Sequence, residues 1–236
     1  MGGVWQCTAC TVVVLADASG VLFANNEDSN IFNTRIWFVP ESDGRAGCAF
    51  VGYDDGWAQG GLNARGLAFD WVVTGPVVWE SDAAMKVVNG SASAEMLATC
   101  SSVEEAIEFF QSHWEPGFAY ARIMVADKSG ASALIGSIDG KLEAIQSKSC
   151  AGFGFGAEQA SHLISADSAA TFENAAIILK AARQAGEHAT KYSNVFDLKS
   201  GEIRIMVGDR ELRLDLIQEL TRGPHHVDLS LESLVK

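Results

Sequence analysis

In this 236-residue chain the side chain best suited to nucleophilic chemistry is the thiol of Cys10. Cys10-Thr11 opens a β-branched run over residues 11–15. A turn cluster follows at residues 16–20, and an apolar strand returns at 21–24. Two antiparallel strands of about equal length bring the chain back to its start, so Asn25-Asn26-Glu27-Asp28 lies beside Cys10 and sets Asp28 close to it. A thiol beside a carboxylate and amides is a catalytic constellation. If Cys10 becomes the first residue of a matured chain, its own α-amine, with a reference pKa of about 7.7–8.0, can serve as base. The same polar block also reads as a solvated turn, and pattern alone leaves the two readings level.

Other chemistries are weakly represented. Cys7-Thr8-Ala9-Cys10 has the form of a C-x-x-C, but no second pair completes a zinc ribbon, and β-branched residues follow where a redox site would open a helix. The cysteines, Cys7, Cys10, Cys48, Cys100 and Cys150, are odd in number and scattered, unlike a disulfide framework. None of the five histidines sits in a metal motif, and no Gly-x-Ser-x-Gly elbow or phosphate-binding loop occurs. No metal and no organic cofactor is expected.

The elements that position Cys10 follow from the apolar pattern. Further strands are expected at 36–39, 48–53, 67–73, 119–126, 133–137, 141–145, 195–198 and 202–207. Residues 59–66, punctuated by Gly60, Gly61 and Gly66, read as a loop. Ser101 and Glu104 have the capping-box form ahead of a helix carrying Val103, Ala106, Ile107 and Phe110 on one face. A second helix is expected over about 169–185, and the tail beyond Gly223 reads as peripheral. Strands, helix, strands, helix, strands make an α+β architecture of antiparallel sheet faced by segregated helices.

Composition narrows the partners. A chain that is 48% hydrophobic with 20% charged residues can bury a core of one domain's size. A net charge of -13 disfavours nucleic acid and anionic membrane surfaces. No stretch approaches the roughly 18 apolar residues of a spanning helix. A homo-oligomer stays open. Residues 1–9 read as a leader-like segment ahead of one domain at 10–236, and Cys7 and Ala9 place small residues where a signal peptidase would want them. The chain as written reads as cytoplasmic, and as exported if a leader precedes it.

A set of runs then carries a resemblance: Cys-Thr-Val-Val-Val-Leu at 10–15, Val-Leu-Phe-Ala-Asn-Asn-Glu-Asp at 21–28, Ile-Trp-Phe-Val-Pro at 36–40, Gln-Gly-Gly-Leu-Asn-Ala-Arg-Gly-Leu-Ala-Phe-Asp at 59–70 and Lys-Tyr-Ser-Asn-Val-Phe-Asp-Leu at 191–198. Together they resemble the linear amide C–N hydrolases, an N-terminal-nucleophile (Ntn) family. It includes penicillin V acylases, choloylglycine (bile-salt) hydrolases, the isopenicillin N acyltransferase group and, nearest in flavour, carcinine-hydrolase-like proteins. The resemblance implies a four-layer αββα sandwich and a small-molecule amide as substrate. It implies Cys10 as nucleophile and Asp28 as the residue holding its amine. Asn25 stands where relatives carry arginine or glutamine. Asn63 lies in the glycine loop, with turn structure its simpler role, and Asn194 in the Tyr-Ser-Asn motif. Trp71, with Trp37, Trp57 and Trp79, is a candidate pocket wall.

Two departures bear on rate. Val73 occupies about the place of an oxyanion asparagine, and the stretch 153–162, Phe-Gly-Phe-Gly at its start, looks shortened into a mobile rim. Losing an oxyanion donor costs about 10²–10³ in rate. The expectation is slow turnover at an open pocket. A weakened Ntn-fold binding protein, an acyltransferase using the same thioester, and a thiol redox or metal module are the competing readings.

Overall fold

The first apolar run, strand β1 (Thr11–Ala16), is buried along almost its whole length because protein lies against both of its faces. Val12 and Val14 point into one core, and Val13 and Leu15 into another, as the two-residue period of a strand requires. This is why the run reads as continuously apolar instead of alternating. The computed structural model describes residues 10–230 apart from Phe32, Ser81, Ala83 and Ala166. Cys7 and Ala9 lie outside the described residues.

Strands and helices are numbered in chain order. The first sheet runs β12 (Ala151–Gly154), β1, β2 (Val21–Asp28), β13 (Thr190–Asp197), β14 (Glu202–Val207) and β15 (Arg210–Asp215), all antiparallel. The second runs β11 (Lys141–Ser147), β10 (Ser132–Ile138), β9 (Ala121–Asp127), β6 (Leu67–Val73), β5 (Ala58–Asn63), β4 (Cys48–Tyr53), β3 (Thr34–Val39) and β16 (His225–Asp228), again antiparallel. A short parallel pair, β7 (Lys86–Val87) and β8 (His113–Trp114), lies apart from both. The helices are α1 (Ala92–Thr99), α2 (Val103–Ser112), α3 (Phe155–Gln159), α4 (Phe172–Ala181) and α5 (Leu216–Thr221).

Three cores define four layers. Val12, Phe23, Ile36, Val51, Leu62 and Phe196 meet between the two sheets. Val13, Leu22 and Ala24 on the other face of the first sheet pack on Ala175, Ile178 and Leu179 of α4. Phe69 and Val125 on the outer face of the second sheet pack on Met96, Leu97 and Phe110 of α1 and α2. The order is helix, sheet, sheet, helix: the expected α+β sandwich.

Several local expectations change. The polar block 25–28 is no solvated turn; it is the buried second half of β2. Residues 58–63 of the expected glycine loop form β5, and α1 joins the helices. The cap of α2 is Ser102, whose side chain accepts from the N–H of Glu105, while Glu105 accepts from Ser101; the box sits one residue later than its pattern suggests. The second long helix is the shorter α4, and the tail supplies β16 to the edge of the second sheet.

Asn63 belongs to this framework. Its Nδ2 donates to the carbonyls of Leu97 and Cys100 at 2.7 and 2.8 Å, and its Oδ1 accepts from the N–H groups of Arg65 and Leu67 at 3.0 and 2.9 Å. All its bonding capacity goes into tying the β5–β6 turn to the end of α1, and it is not among the residues lining the cavity at Cys10. Asn63→Ala leaves several of these buried groups without partners, at about 1–3 kcal/mol each before relaxation. Urea unfolding should show a midpoint clearly below wild type, with reactivity of Cys10 retained below the transition.

Candidate active site

The β1–β2 register pairs Thr11 with Asn26 and Val12 with Asn25, so one step further Cys10 stands opposite Glu27. The thiol points at the carboxyl, with Cys10 Sγ 3.6 Å from Glu27 Oε2. Side chains on β2 alternate. Asn25 and Glu27 share the inter-sheet face with Phe23, whereas Asn26 and Asp28 face the α4 layer. Asn26 donates to the carbonyl of Leu179 and accepts from Ser193 Oγ. The carboxylate of Asp28 accepts from Gln184 Nε2 at 2.7 Å and from Thr190 Oγ1. The hairpin therefore brings Asp28 to Cys10, as expected. Yet it is the backbone N–H of Asp28 that faces the sulfur, and the carboxyl in contact with Sγ is that of Glu27.

Glu27 is fixed from the opposite sheet. Tyr53, the last residue of β4, donates its hydroxyl to Glu27 Oε1 at 2.5 Å. Burial pushes the Glu27 carboxyl up to about 7, the charge of Asp28 pushes the same way, and the Tyr53 and Cys10 donors oppose. Burial also pushes the Cys10 thiol well above its usual range, helped by the charges of Glu27 and Asp70; the Asp28 N–H favours the thiolate. Asp28 is pushed up to about 6 by burial against its Thr190 and Gln184 bonds. Asp70 in β6, fully buried, is pushed well above the usual carboxylate range by desolvation and then by the charge of Glu27. Its carboxyl oxygens, the Tyr192 hydroxyl, Asn25 Oδ1 and Asn194 Nδ2 have no well-formed hydrogen bond among the described residues. These groups make a polar island between otherwise apolar sheets.

Asn25 and Asn194 are cross-strand partners in that island, and Asn25 Nδ2 donates to Asn194 Oδ1 over 3.5 Å. They sit with Cys10 on the inter-sheet face but are not among the residues lining its cavity.

That cavity has a volume of about 460 Å³, with Cys10, Glu27, Asp28 and Ser29 among its polar lining. Tyr53, Trp57, Trp71 and Tyr120 supply aromatic surface, Val73 lies on the wall, and His188 joins the lining. Trp71 is held by an indole N–H bond to Ser93 Oγ at 3.3 Å and by Phe118, 5.5 Å away between ring centres. Of the other tryptophans singled out in the sequence, Trp37 stacks on Phe50 and Trp79 on Trp114, packing roles away from the cavity. Among the described residues no group of three or more His, Cys, Asp or Glu is placed to hold a metal ion.

The shortened stretch behaves differently from a mobile rim. Residues 153–154 belong to β12, which pairs with β1 through Thr11↔Gly154 and Val12↔Phe153, and 155–159 form α3. Gly154 has φ +101°, and a Cβ there would overlap the Cys10 carbonyl oxygen. Its glycine is required by close approach to the backbone of Cys10. The segment clamps the strand that carries Cys10.

Sequence reasoning missed Glu27, Tyr53 and Asp70 as members of the site. The signal for Glu27 was present: Cys10 and Val12 share one face of β1, and Phe23, Asn25 and Glu27 share the matching face of β2. Asp70 stood out only as a lone carboxylate inside an apolar strand.

No family model and no curated protein matches the chain at the sequence level. Solved structures do. Penicillin V acylase from Agrobacterium tumefaciens superposes with a TM-score of 0.72 at 15% identity, over 96% of this chain and 93% of that one. Two variants of conjugated bile acid hydrolase from Clostridium perfringens give 0.67 and 0.66 at 15% and 16% identity, each over 93% of this chain and 96% of the other. The chain thus has the four-layer αββα fold of the Ntn hydrolases, shared with these acylase and bile acid hydrolase structures along nearly its full length.

Proposed function

We propose that the protein hydrolyses a linear, non-peptide amide C–N bond of a small molecule, with Cys10 as nucleophile. The observation that carries this reading is the buried Cys10 thiol, in contact with a carboxyl, at a cavity of small-molecule size on a fold shared with two amide-cleaving enzymes. Sγ attacks the amide carbonyl, the tetrahedral adduct expels the amine, and water resolves the resulting thioester. In this reading the chain is cut between Ala9 and Cys10. The freed α-amine serves as a base, and Asp28, one of the residues lining the cavity, orients it. Asn25 and Asn194, bonded to each other on the same inter-sheet face, are candidates to tune the polarity behind the cavity. Backbone N–H groups stabilise the oxyanion where Val73 offers no donor. Trp71 is a fixed wall for the substrate.

The cavity also points to a charge preference. No lysine or arginine is among its described lining residues, while two carboxyls and four aromatic rings are. Such a lining suits neutral or cationic amides and repels carboxylates.

Intact-mass measurement of the purified protein should show a chain beginning at Cys10; full activity from a chain that still begins at Met1 would rule out the amine as base. Cys10→Ala should abolish turnover, whereas Cys7→Ala should leave most of it. A dead Cys7→Ala variant would move the nucleophile. In a panel of amides sharing one acyl group, with leaving amines ending in ammonium, methyl or carboxylate, the carboxylate member should have the lowest kcat/KM at pH 8, by about tenfold or more. Glu27 and Asp28 protonate at about 7 and 6, so the discrimination should shrink at pH 5. Equal rates across the panel at pH 8 would remove the charge preference.

A further inference from the structure

The α-amine of Cys10 can accept a proton only after the bond to Ala9 is broken, whereas the Glu27 carboxyl contacts the sulfur with that bond intact. We propose that Glu27 is the catalytic residue that takes the proton of the Cys10 thiol and returns it to the departing amine, which leaves the α-amine of a matured chain to act as base on the water that resolves the thioester. This deepens the amide-hydrolase reading and rests on it for the second half of the step.

The geometry assigns the role. Sγ and Oε2 lie within hydrogen-bonding reach for a thiol, and the thiol is the donor. Oε1, the other oxygen, is fixed by Tyr53, so Oε2 stays turned to the sulfur. Both residues line the cavity, so a substrate carbonyl over Sγ is also near the carboxyl. As Sγ bonds to the carbonyl carbon, the thiol proton passes to Oε2 and the carbonyl π pair moves onto oxygen. When the adduct collapses, the C–N bond breaks and the nitrogen takes the proton from Oε2. Glu27 begins and ends as carboxylate, and one negative charge moves through the site without a second being made.

The groups facing Glu27 are Cys10 from β1, Tyr53 from β4, Asp70 from β6, Tyr192 from β13, and Asp28 beside it on β2; His188 lines the same cavity. None of the strand residues is a cation, so the acceptor keeps its pKa near neutrality, where a general base is most useful.

The test reads the thiol without any amide substrate. The full chain is alkylated with iodoacetamide from pH 5 to 9, and the rate at Cys10 is followed by peptide mass. Cys48, whose thiol donates to the Ala46 carbonyl, serves as an internal control. Wild type should show an inflection near pH 7. Glu27→Gln should lose it and react about a hundredfold more slowly at pH 7.5, the low end of general-base assistance. Glu27→Asp should recover part of the rate, and Tyr53→Phe should move the inflection upward because ionised Glu27 loses its donor. A Glu27→Gln protein that melts within a few degrees of wild type and keeps the wild-type profile would overturn the proposal. Should that variant fail to fold, an unmoved inflection in Tyr53→Phe would overturn it instead. A silent amide panel with the inflection intact would remove the amide reading and leave Glu27 in place; an active panel with a flat profile would do the reverse.

Discussion

Two negative charges 3.6 Å apart in a space largely closed to water repel by about 5 kcal/mol even with an effective dielectric constant near 20. The Cys10–Glu27 pair therefore carries at most one negative charge near neutral pH. Burial raises both groups, and each resists ionisation while the other is ionised. The thiol cannot wait as a thiolate. Its proton leaves most readily when an electrophile engages the sulfur and Glu27 accepts it. A site of this kind is quiet at rest, which suits a chain with two further buried thiols, Cys48 and Cys100, among its described residues.

The rest of the sandwich maintains that constraint. β1 is gripped on one side by β2, which carries Glu27, and on the other by β12, whose Gly154 lies against the Cys10 carbonyl. The second sheet contributes Tyr53 and Asp70 across the gap. Burying Asp70 and Tyr192 with few partners costs stability. That cost falls in the middle of the inter-sheet core, where Phe23, Val51, Leu62 and Phe196 supply apolar contact on every side. Gly60 on β5 belongs to the same arrangement: a Cβ there would overlap the Asp70 carboxyl. A carboxyl pushed upward in such surroundings adds a polar group beside Glu27 without adding a cation that would pin it as a carboxylate.

This explains which features could be read from sequence. The strands were legible wherever apolar runs were bounded by turns, as at Cys48–Tyr53, Leu67–Val73 and Glu202–Val207. β5 was not, because Gly60 and Gly61 mimic a loop when glycine is demanded by close packing inside a strand. Nor was the second half of β2, because four polar residues in a row look like a turn until a buried partner for each is known. Cys10 and its hairpin were legible from type and spacing. The choice between Glu27 and Asp28 required the face of the strand, which proximity in sequence does not supply. Residues 153–162 read as a mobile rim for the same reason as β5: small residues that serve contact resemble small residues that serve freedom.

Consecutive carboxyls on one buried strand must point to opposite layers, and here the two layers differ in what they offer. Asp28 meets hydrogen-bond donors from Gln184 and Thr190, which favour its ionised form and lower it against the cost of burial. Glu27 meets a phenol and a thiol, both reluctant to ionise, in a more deeply buried space. One strand thus presents a carboxyl that ionises more readily on its helix side and a proton-exchanging one on its inter-sheet side. Exchanging the two residues in sequence would put the longer side chain among Gln184 and Thr190 and draw the shorter one back from Sγ. The order Glu-Asp, with Cys10 one strand away in antiparallel register, is therefore what sets the carboxyl of higher pKa against the sulfur.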